Sequence, residues 1–391
     1  MGMVRRFDQV LYKREKTKGE KFFLAPLLLF SLPYGWAVRI RSLLYELHLI
    51  QSKKLPKPVL SVGNITMGGT GKTPLVMALA RGLKERGIRV AILSRGYRRK
   101  KRRASLVTDG REILLPPDEA GDEPFLMAHT LKGIPVLVGK DRFQTGTLAL
   151  EQFSVKGLLL DDGFQHLRLA RDLDIVLVDS QVGFGDGHLF PRGILREPLF
   201  HLKRASLFVL TKAEDLEACR RLQRQLHQIH PGAPVFYSRF VPTGLVEPDG
   251  TMAPLALLKG RKVLALSGIA RPEDFSSLIR RLGGEVVKER IFPDHHRYRL
   301  RDLTSLREEV KKLELIITTE KDWVKLKSFP IEPLPLYALR IETKIEEEDE
   351  FFKRVMEVFD RGGIEKGFSA DGEEPSKGVR RARDDAMGED L

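Results

Sequence analysis

The chain has 391 residues, of which 42% are hydrophobic, so its length favours two folded domains and its apolar content is enough to form their cores. The single cysteine, Cys219, excludes a disulfide framework and a cysteine-ligated zinc site, and it is typical of a reducing compartment. Lys and Arg exceed Asp and Glu by 14, which favours a polyanionic partner: nucleic acid, anionic lipid or a phosphorylated substrate.

The first predicted element is an apolar segment within residues 1–54. Phe22 to Val38 contain no charge over 17 residues, which is short for a transmembrane helix, and Pro26 and Pro33 are each expected to interrupt a helix. From Ile40 to Ile50 apolar residues recur at helical spacing among Arg and Lys, as in a helix that lies on a charged lipid surface. We therefore expect an interfacial membrane anchor. The alternative is a core helix packed on the protein.

A glycine-rich turn, GNITMGGTGKT, follows a strand predicted over residues 58–62 and precedes a helix predicted over residues 75–86. The backbone N–H groups of such a turn bind phosphate, its lysine reaches the outer phosphates, and its threonine hydroxyl holds Mg²⁺. The match is incomplete because strict spacing requires glycine at position 66. The alternative is a strand-to-helix turn with an incidental lysine. The predicted phosphate-binding residues are Thr66, Gly68, Gly69, Thr70, Gly71, Lys72 and Thr73.

Strand and helix patterns alternate after this turn and predict an α/β fold. Residues 55–233 are expected to form a P-loop NTPase-like domain, a parallel sheet with helices on both faces. Residues 234–256 are rich in Pro and Gly and are predicted to be a linker containing a β-hairpin. Residues 257–361 predict a smaller second α/β domain that ends in a helix. The charged segment 362–391 lacks periodicity and is predicted to be disordered.

The residues from Arg98 to Arg103 form a basic run after the second predicted strand. Such a run is usually a solvated loop, and the more specific alternative is docking on anionic headgroups or on a phosphorylated substrate. Tyr97 is the aromatic residue that accompanies the run, so the pattern differs from a stacking surface for single-stranded nucleic acid. No nucleic acid partner is therefore expected.

Another apolar strand ends in two carboxylates, Asp161 and Asp162. Ligands of open α/β sheets lie beyond the carboxyl ends of the strands, so these acids are expected to face the phosphate loop. Together with Thr73 they are the predicted ligands of Mg²⁺, a cation that prefers oxygen. The alternative is that the two acids only cap the following segment. The next turn brings an amide and an imidazole, Gln165 and His166, to the same rim.

Six short motifs occur in one order along the chain. They are GGTGKTP at 68–74, GDEP at 121–124, DDGFQH at 161–166, LREP at 195–198, DHH at 294–296 and TEKD at 319–322. Together they resemble the tetraacyldisaccharide 4'-kinase family, from about residue 22 to residue 359, and DDGFQH is the most specific of them. The resemblance implies ATP-dependent transfer of the γ-phosphoryl group to the 4'-hydroxyl of a tetraacyldisaccharide 1-phosphate, which forms lipid IVA. It also implies a peripheral protein on the cytoplasmic face of the bacterial inner membrane.

The resemblance further implies which residues react. The family's catalytic aspartate and its partner histidine match Asp122 and His295, with Asp122 accepting the proton of the hydroxyl and Lys72 stabilising the phosphates. Apart from the resemblance, Asp122 is equally a candidate helix N-cap, and His295 a surface histidine. The pair falls in different predicted domains, so closure of the cleft would complete the site. Three further residues match family site residues of undefined role: Gln165, His166 and Glu197.

Two functions of other classes compete with a kinase. A P-loop switch protein would bind nucleotide to control partner binding and would phosphorylate no small acceptor. A nucleic-acid-dependent ATPase would account for the basic excess, but the apolar segment 22–38 argues against it.

Overall fold

The computed structural model describes residues 7, 10–97, 99, 103–310, 313–331 and 334–364. Most of the predicted tail, residues 365–391, and four residues of the basic run, 98 and 100–102, lie outside this part of the chain. The described residues form a mostly parallel sheet of thirteen strands with helices packed on it. The predicted α/β fold class is therefore confirmed.

The phosphate loop belongs to the first part of the sheet. Its strands are β1 Val59–Asn64, β2 Val90–Ser94, β3 Ser105–Thr108, β4 Val136–Val138, β5 Gly157–Asp161, β6 Leu173–Asp179 and β7 Leu207–Thr211. Their order across the sheet is β3, β4, β2, β5, β1, β6 and β7, and all pair in parallel except β3 with β4. The loop after β1 thus lies at the centre of this part, beside the end of β5.

Helices accompany these strands and those of the second part. They are α1 Lys18–Leu24, α2 Leu28–Glu46, α3 Lys72–Glu85, α4 Pro117–Ala120, α5 Asp122–Thr130, α6 Arg142–Gln152, α7 Leu216–Ile229, α8 Pro272–Arg281, α9 Leu300–Val310, α10 Glu320–Leu326 and α11 Glu348–Ile364. Short 3-10 turns cover Ala25–Leu27, Leu199–Arg204 and Leu255–Leu258.

The central strands are buried on both faces. In β5, Leu159 packs in the cluster that contains Leu79 of α3, whereas Leu158 and Leu160 pack in another cluster with Ala149 of α6. Successive side chains of a strand point to opposite faces, so α3 and α6 cover opposite sides of the sheet. This double cover explains why these strands are continuous apolar runs in the sequence.

The second part of the sheet is joined to the first through one long strand. Its strands are β8 Val235–Val246, β9 Met252–Ala253, β10 Lys262–Ser267, β11 Glu285–Ile291, β12 Leu315–Thr319 and β13 Leu336–Ile345. The strand β8 pairs in parallel with β7 and antiparallel with both β13 and β9. Beyond β13 the order continues with β12, β10 and β11, all parallel.

The last helix, α11, packs back on the first part of the sheet. Phe351 and Phe352 lie in the same buried cluster as Leu79 and Leu83 of α3. Gly82 of α3 makes room for this contact, because a Cβ atom there would lie 2.1 Å from the ring of Phe352. The end of the chain therefore stabilises the helix that follows the phosphate loop. The division into two domains stays a prediction.

We expect Phe351→Ala to lower the free energy of unfolding by about 3–5 kcal/mol, because the side chain is fully buried and its ring lies 5.4 Å from that of Phe236. Denaturant unfolding followed by circular dichroism measures the change. Lys353→Ala on the same helix is the matched control, since its side chain is 72% exposed, and it should change stability by less than about 0.5 kcal/mol. Equal effects of the two substitutions would contradict this packing.

The N-terminal helix differs from the prediction at one of its prolines. The helix α2 continues through Pro33, so the expected interruption there is wrong, whereas Pro26 does lie in the 3-10 turn that separates α1 from α2. Pro33 is exposed, and its neighbours Ser31 and Tyr34 are held by hydrogen bonds to Leu189 and Arg196, which stabilise the helix on both sides of the missing N–H. By length and composition, the stretch Lys18–Glu46 could also cross a membrane.

Candidate active site

The glycine turn forms a cradle at the start of α3. Gly71 has φ 86° and occupies the N-cap position, so α3 begins at Lys72 with its free N–H groups directed at the turn. Gly68 has φ 98°, which is also in the left-handed region. A Cβ atom on Gly71 would lie 2.5 Å from the ring of Phe240 of β8. The turn therefore requires glycine at these positions, and its shape suits a bound phosphate.

The missing glycine at position 66 has a structural reason. Thr66 forms an isolated antiparallel bridge with Leu195, so its backbone is extended, a conformation that a β-branched residue adopts readily. The tighter turn comes later in the sequence, at Thr70. Oγ1 of Thr70 accepts a hydrogen bond from Nδ2 of Asn64, at 2.9 Å. Thr211, at the end of β7, donates to the carbonyl oxygen of Thr70, at 2.9 Å. Neighbouring strands thus fix the loop.

Lys72 and Asp162 face each other across this cradle. The ammonium group of Lys72 lies 3.2 Å from Oδ1 of Asn64 and 3.5 Å from Oδ1 of Asp162. Arg196 donates from Nη1 to both carboxylate oxygens of Asp162, at 3.0 and 3.1 Å. Burial would raise the pKa of Asp162, but Lys72 and Arg196 hold this pKa at about 2. Asp162 is therefore an anion that orients two cations beside the loop.

Asp161 lies deeper than its neighbour. It is the last residue of β5, and its Oδ2 accepts a hydrogen bond from Ser94 of β2, at 2.9 Å. Its Oδ1 is buried and has no hydrogen-bond partner among the described residues. Burial, and the negative charges of Glu123 and Asp162, raise the pKa of Asp161 to about 7. A divalent ion beside this buried carboxylate would relieve the cost of its ionisation.

The structure brings Asp122 and His295 together. Oδ2 of Asp122 lies 3.0 Å from Nδ1 of His295, although 173 residues separate them in sequence. Asp122 is the first residue of α5, and the cap is Gly121, with φ 90° and a Cβ position only 3.1 Å from Gly96. Asp122 therefore lies beside the segment that follows β2. The last residue of β2, Ser94, binds Asp161.

Lys321 of α10 decides the tautomer of His295. Its ammonium group lies 3.4 Å from Nε2 of His295 and 2.8 Å from Oδ1 of Asp294. An ammonium group is only a donor, so Nε2 must accept and the ring proton is on Nδ1. Nδ1–H of His295 then donates to Oδ2 of Asp122. Burial opposes ionisation of Asp122, yet this hydrogen bond and the charge of Lys325 hold its pKa below the ordinary value.

Gln165 and His166 lie in the turn that follows Asp162, where the N–H of His166 donates to the carbonyl oxygen of Gly163. Gln165 donates from Nε2 to the carbonyl oxygen of Asn64, at 2.8 Å, and its backbone oxygen accepts from Arg41 of α2, at 2.8 Å. Gln165 therefore ties the end of β1 to the N-terminal helix. Burial, and the nearby charge of Arg142, lower the pKa of His166 to about 4. The imidazole of His166 is neutral at pH 7, and its buried Nε2 has no partner among the described residues.

Glu197 makes its contacts in a separate buried cluster. Its Oε2 accepts hydrogen bonds from His201 and Arg204, both at 2.6 Å, in the 3-10 turn Leu199–Arg204. The guanidinium of Arg204 also lies 4.6 Å from the ring centroid of Phe164, in the turn that follows Asp162. Glu197 therefore supports that turn through Arg204. Among the described residues, Glu197 makes no contact with the phosphate loop.

Several side chains of the site were not singled out as site residues from the sequence. Asn64 ends β1 as a fully buried polar residue, which was the available signal. Arg196 and Lys321 stand within the LREP and TEKD motifs, but neither motif reveals that they contact Asp162 and His295. Lys325 lies outside every motif, and its ammonium group is 3.3 Å from Oδ2 of Asp122.

Known proteins are similar to this chain over most of its length. Residues 23–360 match the sequence model of a family described as tetraacyldisaccharide-1-P 4'-kinase. A tetraacyldisaccharide 4'-kinase of Desulfatibacillum aliphaticivorans is 43% identical over 339 residues, which cover 84% of this chain and 90% of that protein. The protein of the same name from Anaeromyxobacter dehalogenans strain 2CP-C is 45% identical over 312 residues, covering 77% of this chain and 81% of the relative.

A solved structure matches the fold as well. It is the "apo" form of LpxK from Aquifex aeolicus in complex with ATP, with a TM-score of 0.71 and 35% sequence identity. The match covers 86% of this chain and 99% of the solved one. The similarity therefore extends over most of this chain.

Proposed function

This chain belongs to the tetraacyldisaccharide 4'-kinase family, and we propose how its residues perform the reaction. They transfer the γ-phosphoryl group of ATP to the 4'-hydroxyl of a lipid disaccharide monophosphate. The enzyme is an ATP-dependent kinase of lipid A biosynthesis. The observation that carries the mechanism is the 3.0 Å contact of Asp122 with His295. This contact supplies a base for the acceptor, which a nucleotide switch does not need.

The donor half of the reaction takes place in the glycine cradle. Phosphoryl transfer has a loose transition state in which negative charge spreads over phosphate oxygens, so catalysis is mostly positioning and electrostatic stabilisation. The N–H groups at the start of α3 and the ammonium group of Lys72 bind the phosphates. Asn64 and Asp162 hold the ammonium group of Lys72 at the start of α3, where it can stabilise the developing charge.

The acceptor half uses Asp122. The oxygen of the 4'-hydroxyl forms a bond to the γ-phosphorus, the bond from that phosphorus to the bridging oxygen of ADP breaks, and the hydroxyl proton passes to Asp122. His295 donates from Nδ1 to Oδ2 of Asp122 and keeps the carboxylate in one orientation. Because the pKa of Asp122 is below its ordinary value, the carboxylate is ionised at neutral pH and ready to accept a proton.

The residues present fit a bound Mg²⁺. Oδ1 of Asp161 is a buried oxygen without a partner in the described part of the chain, and Thr73 follows Lys72 at the start of α3. Mg²⁺ held by Asp161 and Thr73 would neutralise charge on the β- and γ-phosphates. Asp162 is a weaker candidate ligand, because Lys72 and Arg196 occupy its oxygens. Within the described residues no group of three or more His, Cys, Asp or Glu side chains could hold a metal, which suits an ion that keeps phosphate and water ligands.

The N-terminal helices are proposed to lie on the cytoplasmic face of the inner membrane. The residues of α2 that are buried against the protein are small: Ser31, Gly35 and Ser42. Large apolar side chains point to solvent instead, among them Phe22, Phe23, Leu29, Phe30, Leu32 and Trp36, each more than 60% exposed. A helix whose large apolar side faces outward favours the membrane over a core position.

Phe30 and Trp36 test this attachment. We expect the double substitution Phe30→Ser and Trp36→Ser to weaken binding to vesicles of anionic phospholipid on the order of 10-fold or more, because two large apolar side chains no longer enter the lipid. Co-sedimentation with the vesicles measures it. Leu216→Ser is the control, since Leu216 is 63% exposed at the start of α7 and should not affect binding. Undiminished sedimentation of the double variant would place the attachment elsewhere.

The reaction itself is tested with purified full-length protein, ATP, Mg²⁺ and tetraacyldisaccharide 1-phosphate in detergent. Mass spectrometry should detect a bisphosphorylated lipid, formed in step with ADP. A nucleotide switch would instead hydrolyse ATP slowly and leave the lipid unchanged. That result, with an authentic acceptor and folded protein, would reject the kinase mechanism.

A further inference from the structure

Lys325 is a cation in direct contact with Asp122, and it comes from α10 on the other part of the sheet. Its ammonium group lies 3.3 Å from Oδ2 of Asp122, 3.1 Å from Oδ1 of Asp322 and 3.2 Å from the carbonyl oxygen of His296. The side chain is only 9% exposed. Lys325 is therefore held in place from three sides.

Asp322 fixes the position of this lysine. It is fully buried, and its Oδ2 accepts hydrogen bonds from the backbone N–H of Gly268 and from Oγ1 of Thr319, both at 2.8 Å. Its Oδ1 forms the ion pair with Lys325, at 3.1 Å. Thr319 is also the N-cap of α10, so the helix start, Asp322 and Lys325 form one rigid unit.

His295 and Lys325 both bind the same oxygen of Asp122. The two contacts, at 3.0 and 3.3 Å, converge on Oδ2. In the described part of the chain no side chain or backbone group makes a hydrogen bond to Oδ1. With Oδ2 engaged twice, Oδ1 keeps its lone pairs for the acceptor hydroxyl.

We propose that Lys325 is a positioning residue, which together with His295 binds Oδ2 of Asp122 and leaves Oδ1 as the atom that takes the proton. The inference rests on the proposed role of Asp122 as the base. Lys325 is then the third residue from the second part of the sheet that contributes to the site, after His295 and Lys321. The ammonium group also stabilises the carboxylate as an anion until the hydroxyl arrives.

The charges around Asp122 determine how the loss of Lys325 changes the pKa of Asp122. His295, Lys325 and Lys321 favour its ionised form, burial opposes it, and the buried Tyr298 is the phenol of the same cluster. Glu123, next along α5, adds a negative charge. Removing Lys325 takes away the cation in direct contact, so the pKa of Asp122 rises. Because the base must be ionised, activity is then lost at a higher pH on the acid side.

The test is a pH profile of kcat for Lys325→Met and Lys325→Arg in the full-length enzyme with lipid acceptor. For Lys325→Met the acid limb should move up by about 1 pH unit, with kcat at pH 7.5 at least about 10-fold lower and KM for ATP within about 2-fold of wild type. Lys325→Arg keeps the charge and should keep the acid limb at its wild-type position. A purely structural role would lower the amplitude at every pH and leave the limb unmoved.

Lys327→Met is the matched control, because it removes one positive charge two residues away, where Lys327 contacts the ring of Trp323. Its profile should superimpose on that of wild type. An unmoved limb in Lys325→Met, or a limb that moves equally in Lys325→Arg, overturns the role of Lys325 while wild-type kinase activity still supports the proposed function. Absence of lipid product from wild type would reject the proposed function itself.

Discussion

Replacing Asp122 with asparagine is expected to lower kcat by about 10²- to 10⁴-fold, the usual contribution of a general base. Asparagine preserves the size of the side chain and one oxygen for His295, but its amide cannot take the proton of the acceptor hydroxyl. The Kd for ATP should change little, because Asp122 has no contact with the glycine turn among the described residues. Steady-state kinetics with lipid acceptor, together with calorimetric titration of ATP, separate the two effects.

The same segment offers a matched control. His296 and Asp302 form a second histidine–carboxylate pair, with Nε2 3.1 Å from Oδ2, one residue after His295. Asp302→Asn disturbs that pair but removes no group from the proposed site, so kcat should stay within about 2-fold of wild type. If Asp122→Asn weakened ATP binding and left kcat unchanged, Asp122 would be a nucleotide ligand and another group would be the base.

Replacing Lys72 with alanine is expected to lower kcat/KM on the order of 10³-fold, because a preorganised cation at the developing phosphate charge is lost. Both kcat and the affinity for ATP should fall, since Lys72 reaches the phosphates in the ground state and in the transition state. This pattern differs from that of Asp122→Asn. Asp162 keeps Arg196 as a partner in the variant, so the fold should persist.

Lys84→Ala provides the comparison for Lys72. Lys84 lies near the end of the same helix and donates to the carbonyl oxygen of Lys132, at 2.6 Å, far along α3 from the glycine turn. Lys84→Ala removes the same charge as Lys72→Ala and should retain activity. Near-normal activity in Lys72→Ala would argue strongly that the glycine turn does not hold the transferred phosphate.

The fold was largely predictable because local signals dominate it. The strand predicted over residues 58–62 is β1, Val59–Asn64, and the helix predicted over residues 75–86 is α3, which begins three residues earlier, at Lys72. The error at Pro33 has a physical cause, because hydrogen bonds of its neighbours on both sides hold the helix α2. Thr66, where strict motif spacing requires glycine, forms an extended bridge with Leu195.

The site was predictable only where motifs carry it. The pairing of Asp122 with His295 came from a family resemblance, since no local pattern links residues 173 positions apart. The contact of Lys325 depends on the rotation of α10 and on buried Asp322, which only the packed structure defines. The surroundings of Glu197 depend on the 3-10 turn that brings Arg204 to it. These contacts come from tertiary packing and leave no periodic signal in the sequence.

The decisive measurement is a structure of the enzyme with a non-hydrolysable ATP analogue, Mg²⁺ and tetraacyldisaccharide 1-phosphate. We expect the 4'-oxygen to lie within about 2.6–3.2 Å of Oδ1 of Asp122 and in line with the γ-phosphorus, while His295 remains on Oδ2. A 4'-oxygen bound by a different carboxylate, with Asp122 turned away from the acceptor, would contradict it.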